Sequence, residues 1–153
     1  MLRSLVIALC CSLLATACGG PEAADETDVL GSTEQDVTSH CKYSCAAKYG
    51  STAGTAVRLD VGKGETVMTA TAGSNFANVA DTYVYNPAYA PTTAAHQDKA
   101  QYRREVGYRM VLLVDKTMRT GGVILPDGRR GGTAILSGPY IPRSIETFTC
   151  HRL

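Results

Sequence analysis

Tryptophan is absent from this 153-residue chain, phenylalanine occurs twice and histidine three times. Without tryptophan, any aromatic stacking on sugars or bases falls to the eight tyrosines. No apolar run approaches the ~18 residues of a membrane-spanning helix, which excludes a multi-pass membrane protein. There is no Gly-x-Ser-x-Gly nucleophile elbow, no His-Glu-x-x-His zinc helix and no Gly-x-x-x-x-Gly-Lys phosphate loop. Gly62-Lys63-Gly64 lacks the third glycine and following helix of a dinucleotide fingerprint and reads as a turn. No internal repeat is present. What remains is ordinary globular material: 44% hydrophobic residues and 19% charged ones exclude wholesale disorder.

The amino terminus departs from that average. Met1-Leu2-Arg3-Ser4 supplies one positive charge, and Leu5 to Ala17 forms a short apolar stretch ending in small residues. This is the pattern of a secretory signal, residues 1–17, too short to span a bilayer. Its end, Leu14-Ala15-Thr16-Ala17-Cys18-Gly19-Gly20, resembles the lipobox of bacterial lipoproteins. The resemblance implies cleavage before Cys18 and a diacylglycerol on its sulfur, which makes the membrane a partner. Two or more acyl chains, at ~0.8 kcal/mol per buried CH₂, hold far more firmly than one. Gly19 is not the aspartate that retains such lipoproteins in the inner membrane, so the resemblance points to the outer membrane. Ala15-Thr16-Ala17 also suits the ordinary signal peptidase, which would leave a secreted protein.

Residues 18–39 form a tether. Glu22, Asp25, Glu26, Asp28, Glu34 and Asp36 are its charges, and no Lys or Arg lies between Gly19 and Ser39. Low hydrophobicity with charge of one sign predicts a disordered, self-repelling spacer. Residues 40–153 form the single folded domain, with fourteen Lys and Arg against eight Asp and Glu. That excess of six would suit an anionic envelope component, while the plainer reading is a solvated surface whose charge aids solubility; another envelope protein is the other expected partner. The scatter of these charges, with only Arg103-Arg104 and Arg129-Arg130 as doublets, argues against nucleic acid.

Period-two alternation dominates the domain. Val57, Leu59 and Val61 predict a strand that turns at Gly62-Lys63-Gly64 into a second, Thr66 to Ala72. Thr82 to Asn86 is another short strand. Val106, Tyr108, Met110, Leu112 and Val114 predict the longest buried face. Val123–Leu125 and Thr133–Leu136 flank a Pro-Asp-Gly-rich turn, and Ile145 to Cys150 closes the series. Only Thr92 to Glu105 has helical composition. The expectation is a mainly β domain, a small antiparallel sandwich or barrel with at most one short helix.

His40 to Tyr49 reads either as a strand or as a helix, with Cys41 and Cys45 on one face in both. On a strand, residues four apart are roughly 13 Å apart at ~3.4 Å per residue. A disulfide needs Cα atoms within about 7 Å, so the strand predicts a bridge from Cys150 to Cys41 or Cys45. The helix would instead allow a local Cys41–Cys45 link. Three thiols with His40 and His151 also suffice for a tetrahedral zinc, but the spacing is not that of a zinc knuckle and the compartment is oxidising. No metal or cofactor is therefore expected.

No catalytic residue stands out. His96 with Asp98 decorates a polar segment, and neither His40 nor His151 lies in a nucleophile motif. The candidate ligand surface consists of Tyr83, Tyr85, Tyr89, Arg103, Arg104 and Arg109. The sequence thus predicts a non-catalytic structural or interaction module displayed at the outer membrane. The alternatives are a secreted binding module for an anionic or glycan ligand and, third, a small Cys/His hydrolase or metal-dependent enzyme.

Overall fold

The computed structural model describes residues 40–48, 56–104, 106–107, 109–141 and 144–153. The signal segment 1–17, Cys18, the stretch 19–39, Tyr49, Glu105 and Tyr108 lie outside the described residues.

Alternation produces most of the strands. β1, Cys41–Ala47, buries Cys41, Tyr43 and Cys45 and exposes Lys42, so the segment is a strand and not a helix. β2, Val57–Val61, buries Val57, Leu59 and Val61. It turns through Gly62-Lys63-Gly64 into β3, Glu65–Ala70, where Thr66 and Met68 continue the buried face. There follow β4 (Thr82–Tyr85), β5 (Lys99–Arg103), β6 (Val111–Asp115), β7 (Val123–Ile124), β8 (Arg130–Ser137) and β9 (Ile145–Arg152).

Every pairing is antiparallel, and the sheet closes on itself. β1 pairs with both β2 and β9, while β6 skips β7 to pair with β8. The ring is therefore β1-β2-β3-β4-β5-β6-β8-β9, an eight-stranded barrel. β7 is the extra strand, joined to the first residues of β8 through Val123↔Gly131 and Ile124↔Arg130. Closure gives the eight ring strands neighbours on both sides, which removes the open edges a sandwich would have to protect.

Two expectations fail. Thr92 to Glu105 is not helical: it holds one 3₁₀ turn, Ala94–His96, and then β5. Helix propensity is a weak prior that tertiary context overrides. Here Ala100 and Tyr102 point into the barrel, while outward-facing Lys99 is covered by its bonds to Asp115 and Thr133. Nor is Val106 part of a buried strand. It is 75% exposed, in a turn with Gly107 at φ 78°. The strand begins only at Val111, so Met110, Leu112 and Val114 keep their predicted burial and Val106 does not.

The interior is packed with large side chains. Tyr43, Tyr83, Tyr102, Phe148, Leu59, Met68, Leu112 and Leu136 are all fully buried. Three of these are tyrosines, and each hydroxyl donates to a main-chain carbonyl: Tyr43 to Met118 at 2.8 Å, Tyr83 to Val79 at 2.8 Å, Tyr102 to Gly62 at 2.6 Å. A buried hydroxyl without a partner costs ~1–3 kcal/mol, so these bonds are what makes tyrosine tolerable in the barrel.

Each end is stoppered. At the end where β1 begins, the 3₁₀ turn Lys116–Thr120 buries Met118. At the opposite end the turn Ala77–Val79 buries Val79, and Phe76 meets Phe148 edge-on at 5.1 Å between centroids. Gly132 admits the first stopper. A Cβ there would lie 2.7 Å from Met118 Cγ and 2.8 Å from Asp115 Oδ2. Gly132→Ala is therefore expected to cost ~1–3 kcal/mol through overpacking, read as a lower urea midpoint with unchanged slope.

Candidate functional site

The register of β1 on β9 decides the cysteine chemistry. Cys45 stands directly opposite Cys150, with Cα atoms 4.0 Å apart, and the two form a disulfide across 105 residues. Tyr43 already faces Arg152, so Cys41 lies beyond the reach of Cys150 although it shares the inner face. Cys150 is thus bridged to the later of its two predicted partners. Cys41 is disulfide-bonded as well.

This removes all three thiolates from the zinc and nucleophile readings. The imidazoles also lie elsewhere. His40 Nδ1 is 3.3 Å from Asp60 Oδ1, and its ring covers Gly62. His151 Nε2 is 2.9 Å from an Arg129 guanidinium nitrogen and 3.5 Å from Asp127 Oδ2. Asp127 is held below the usual carboxylate range, first by the Arg129 main-chain N–H and then by the Arg129 side chain and the charge of His151. The described residues hold no group of three His, Cys, Asp or Glu arranged to ligate a metal.

The predicted ligand surface divides. Tyr83 is buried inside the barrel, where burial pushes its hydroxyl up to about 12. Tyr85 is half-buried on the inner face of β4, opposite Tyr102. Its ring lies 5.6 Å from that of Tyr102, with the Arg119 guanidinium 4.6 Å above it. Tyr89 sits in the loop after β4. None of the three lines the hollow that the arginines share. Alternation on β4 explains this: Tyr83 and Tyr85 share a face, as predicted, but that face is the inner one.

Arg103, Arg104 and Arg109 do come together. With Gly107 they line a hollow of about 290 Å³ at the rim far from the start of β1. A smaller hollow of about 180 Å³ adjoins it, sharing Arg104 and Gly107 and adding Asn78 and Tyr140. The chain reverses between β5 and β6, and Gly107 supplies the positive φ of that reversal, so Arg109 returns beside Arg104. Arg103 ends β5, and its Nε donates to Gln101 Oε1 at 2.8 Å. The Gln101 amide oxygen is itself held by the Asn86 amide at 2.7 Å. Arg104 pairs with Asp81 at 2.8 Å and reaches the Asn78 carbonyl at 3.4 Å. The sequence signal was the Arg103-Arg104 doublet. Arg109 was grouped with it from sequence, but the turn that brings it back beside Arg104 was not visible there.

No protein-family model, no curated protein and no solved structure matches this chain.

Proposed function

We propose that the chain is an exported envelope protein whose barrel serves as a non-catalytic interaction module, held at the outer membrane by acyl chains on Cys18. The observation that carries the binding half of this reading is the filled lumen. Tyr43, Tyr83, Tyr102 and Phe148 occupy the space where an open barrel would take a ligand, so recognition falls to the rims and the outer wall. The anchoring half rests on the lipobox-like run before Cys18. Cys18→Ala should abolish acyl labelling and leave unprocessed precursor or a soluble product. Mature protein that stays lipid-labelled and membrane-bound after this change would sink the anchor.

One observation favours a second reading, in which the protein is secreted and soluble. Cys41 is disulfide-bonded, and Cys45 and Cys150 hold each other. The remaining cysteines are Cys10, Cys11 and Cys18, and only Cys18 survives removal of residues 1–17. A Cys18 sulfur bridged to Cys41 cannot also carry a thioether lipid. Cleavage after Ala17 by the ordinary signal peptidase would then leave four cysteines in two bridges. Intact mass before and after reduction separates the readings. The anchored form carries acyl mass; the soluble form carries none and gains the hydrogens of two bridges.

A further inference from the structure

We infer that the Arg103–Arg104–Arg109 hollow is a binding site for a phosphate or sulfate monoester carried on a sugar. This rests on the reading of the barrel as an interaction module that works from its rims. Among the described residues, Asp81 offsets Arg104, and neither Arg103 nor Arg109 has a carboxylate within ion-pair distance. The sequence from 103 to 109 contains one acid, Glu105, outside the described residues. Among the described residues, two guanidinium groups without an ion-pair carboxylate therefore share one hollow with a third. Like charges at such separations repel, and a doubly charged oxyanion relieves that repulsion while accepting several charge-assisted hydrogen bonds.

The surroundings fit the same class of ligand. Arg103 is aimed by a neutral amide, so its orientation is fixed without loss of its charge. Arg104 is aimed by Asp81, whose Oδ2 lies 2.8 Å from its Nε. At about 290 Å³ the hollow sits at the lower bound of ligand clefts, room for one esterified sugar. Asn78 in the adjoining hollow is a neutral polar group of the kind sugar hydroxyls need.

The arginine hollow lies at the rim far from where the described chain enters the barrel. Cys41 pairs with Val61 at the end where the chain enters, whereas Arg103 pairs with Val111 at the other end.

The test uses the mature full-length chain and calorimetric titration with glucose 6-phosphate, inorganic phosphate and inorganic sulfate. The expected result is saturable binding that Arg103→Ala and Arg109→Ala each weaken about tenfold or more, the worth of a hydrogen bond to a charged group. Arg109→Lys should retain part of the affinity. Arg130→Ala changes the net charge equally at the other rim and should leave affinity unchanged. Amide NMR should place the shifts at Gly107. Absence of binding, or an equal loss in R130A, overturns the site. Binding to anionic-lipid vesicles with none to glucose 6-phosphate overturns the sugar ester. Neither outcome touches lipidation or export, which Cys18→Ala and intact mass test separately.

Discussion

Replacing Cys45 and Cys150 together by alanine is expected to remove about 4–5 kcal/mol of stability. The bridge spans 105 residues, and the chain-entropy model assigns ~4.7 kcal/mol to a loop of about that length. A domain of this size holds only ~5–15 kcal/mol in total, so a third or more of it rests on one bond. The double substitution is the informative one, because a single alanine strands a buried thiol that is free to exchange with Cys41's bridge. The barrel itself should survive in native buffer, since β1 and β9 remain paired through Tyr43↔Arg152 to Ala47↔Phe148. Denaturant unfolding of oxidised wild type and the double variant measures the difference. A loss under about 1 kcal/mol would mean the barrel ladder alone closes the chain, contrary to the expectation.

The second large effect lies at high pH. Burial raises the hydroxyls of Tyr43 and Tyr83 to about 12 and pushes Tyr102 up as well, against an unperturbed 10.0. For an acid whose folded pKa is raised, the folded state binds more protons than the unfolded one between the two values. Stability is thus fully present below pH 10 and falls as pH rises toward about 12. Each such group lowers it by up to ~1.4 kcal/mol per pH unit across that window. Tyr43 and Tyr83 together should make unfolding at pH 11 about 2–3 kcal/mol easier than at pH 9, with Tyr102 adding in the same direction. The cause is local: ionised, each hydroxyl would lose its donated bond and face a carbonyl oxygen inside the barrel. Tyrosinate absorbance followed with far-UV circular dichroism checks this. Three tyrosines should ionise only as the fold is lost, and a smooth titration of all of them with the barrel intact would refute it.

Much of the fold was legible as pattern. Val57, Leu59 and Val61 alternate, as do Met110, Leu112 and Val114, and burial follows both series. The Gly62-Lys63-Gly64 turn comes from the same local rules, whereas Cys41–Ala47 read as strand or helix until β2 and β9 paired with it. Val106 extended its series in sequence but not in space. Period two records which residues can share a face, not where a strand stops, and Gly107 stops this one. The 99–103 segment went the other way. Its Lys, Gln and Arg favour a helix locally, yet Ala100↔Val114 and Tyr102↔Leu112 commit it to the sheet. The candidate site was legible in part, since an arginine doublet is visible in any sequence. The tyrosines were not, because alternation says which residues lie together without saying which face is inside.

The sequence alone therefore determined the β character and the hairpin at 62–64, and offered a Cys150 bridge to Cys41 or Cys45 beside a local Cys41–Cys45 link. Its amino terminus determined the expectation of export. Tertiary structure decided the rest. Barrel or sandwich is a question of whether β1 meets β9 and β6 meets β8, pairings between segments distant in sequence with no local signature. Register, set by those same pairings, chose Cys45, because a residue on a strand can bridge only to what lies across from it. The three buried tyrosine hydroxyls found carbonyls on 3₁₀ turns and a hairpin that only closure brings over the barrel ends. The arginine hollow is likewise a product of a reversal at Gly107, where chain direction, not composition, puts like charges side by side.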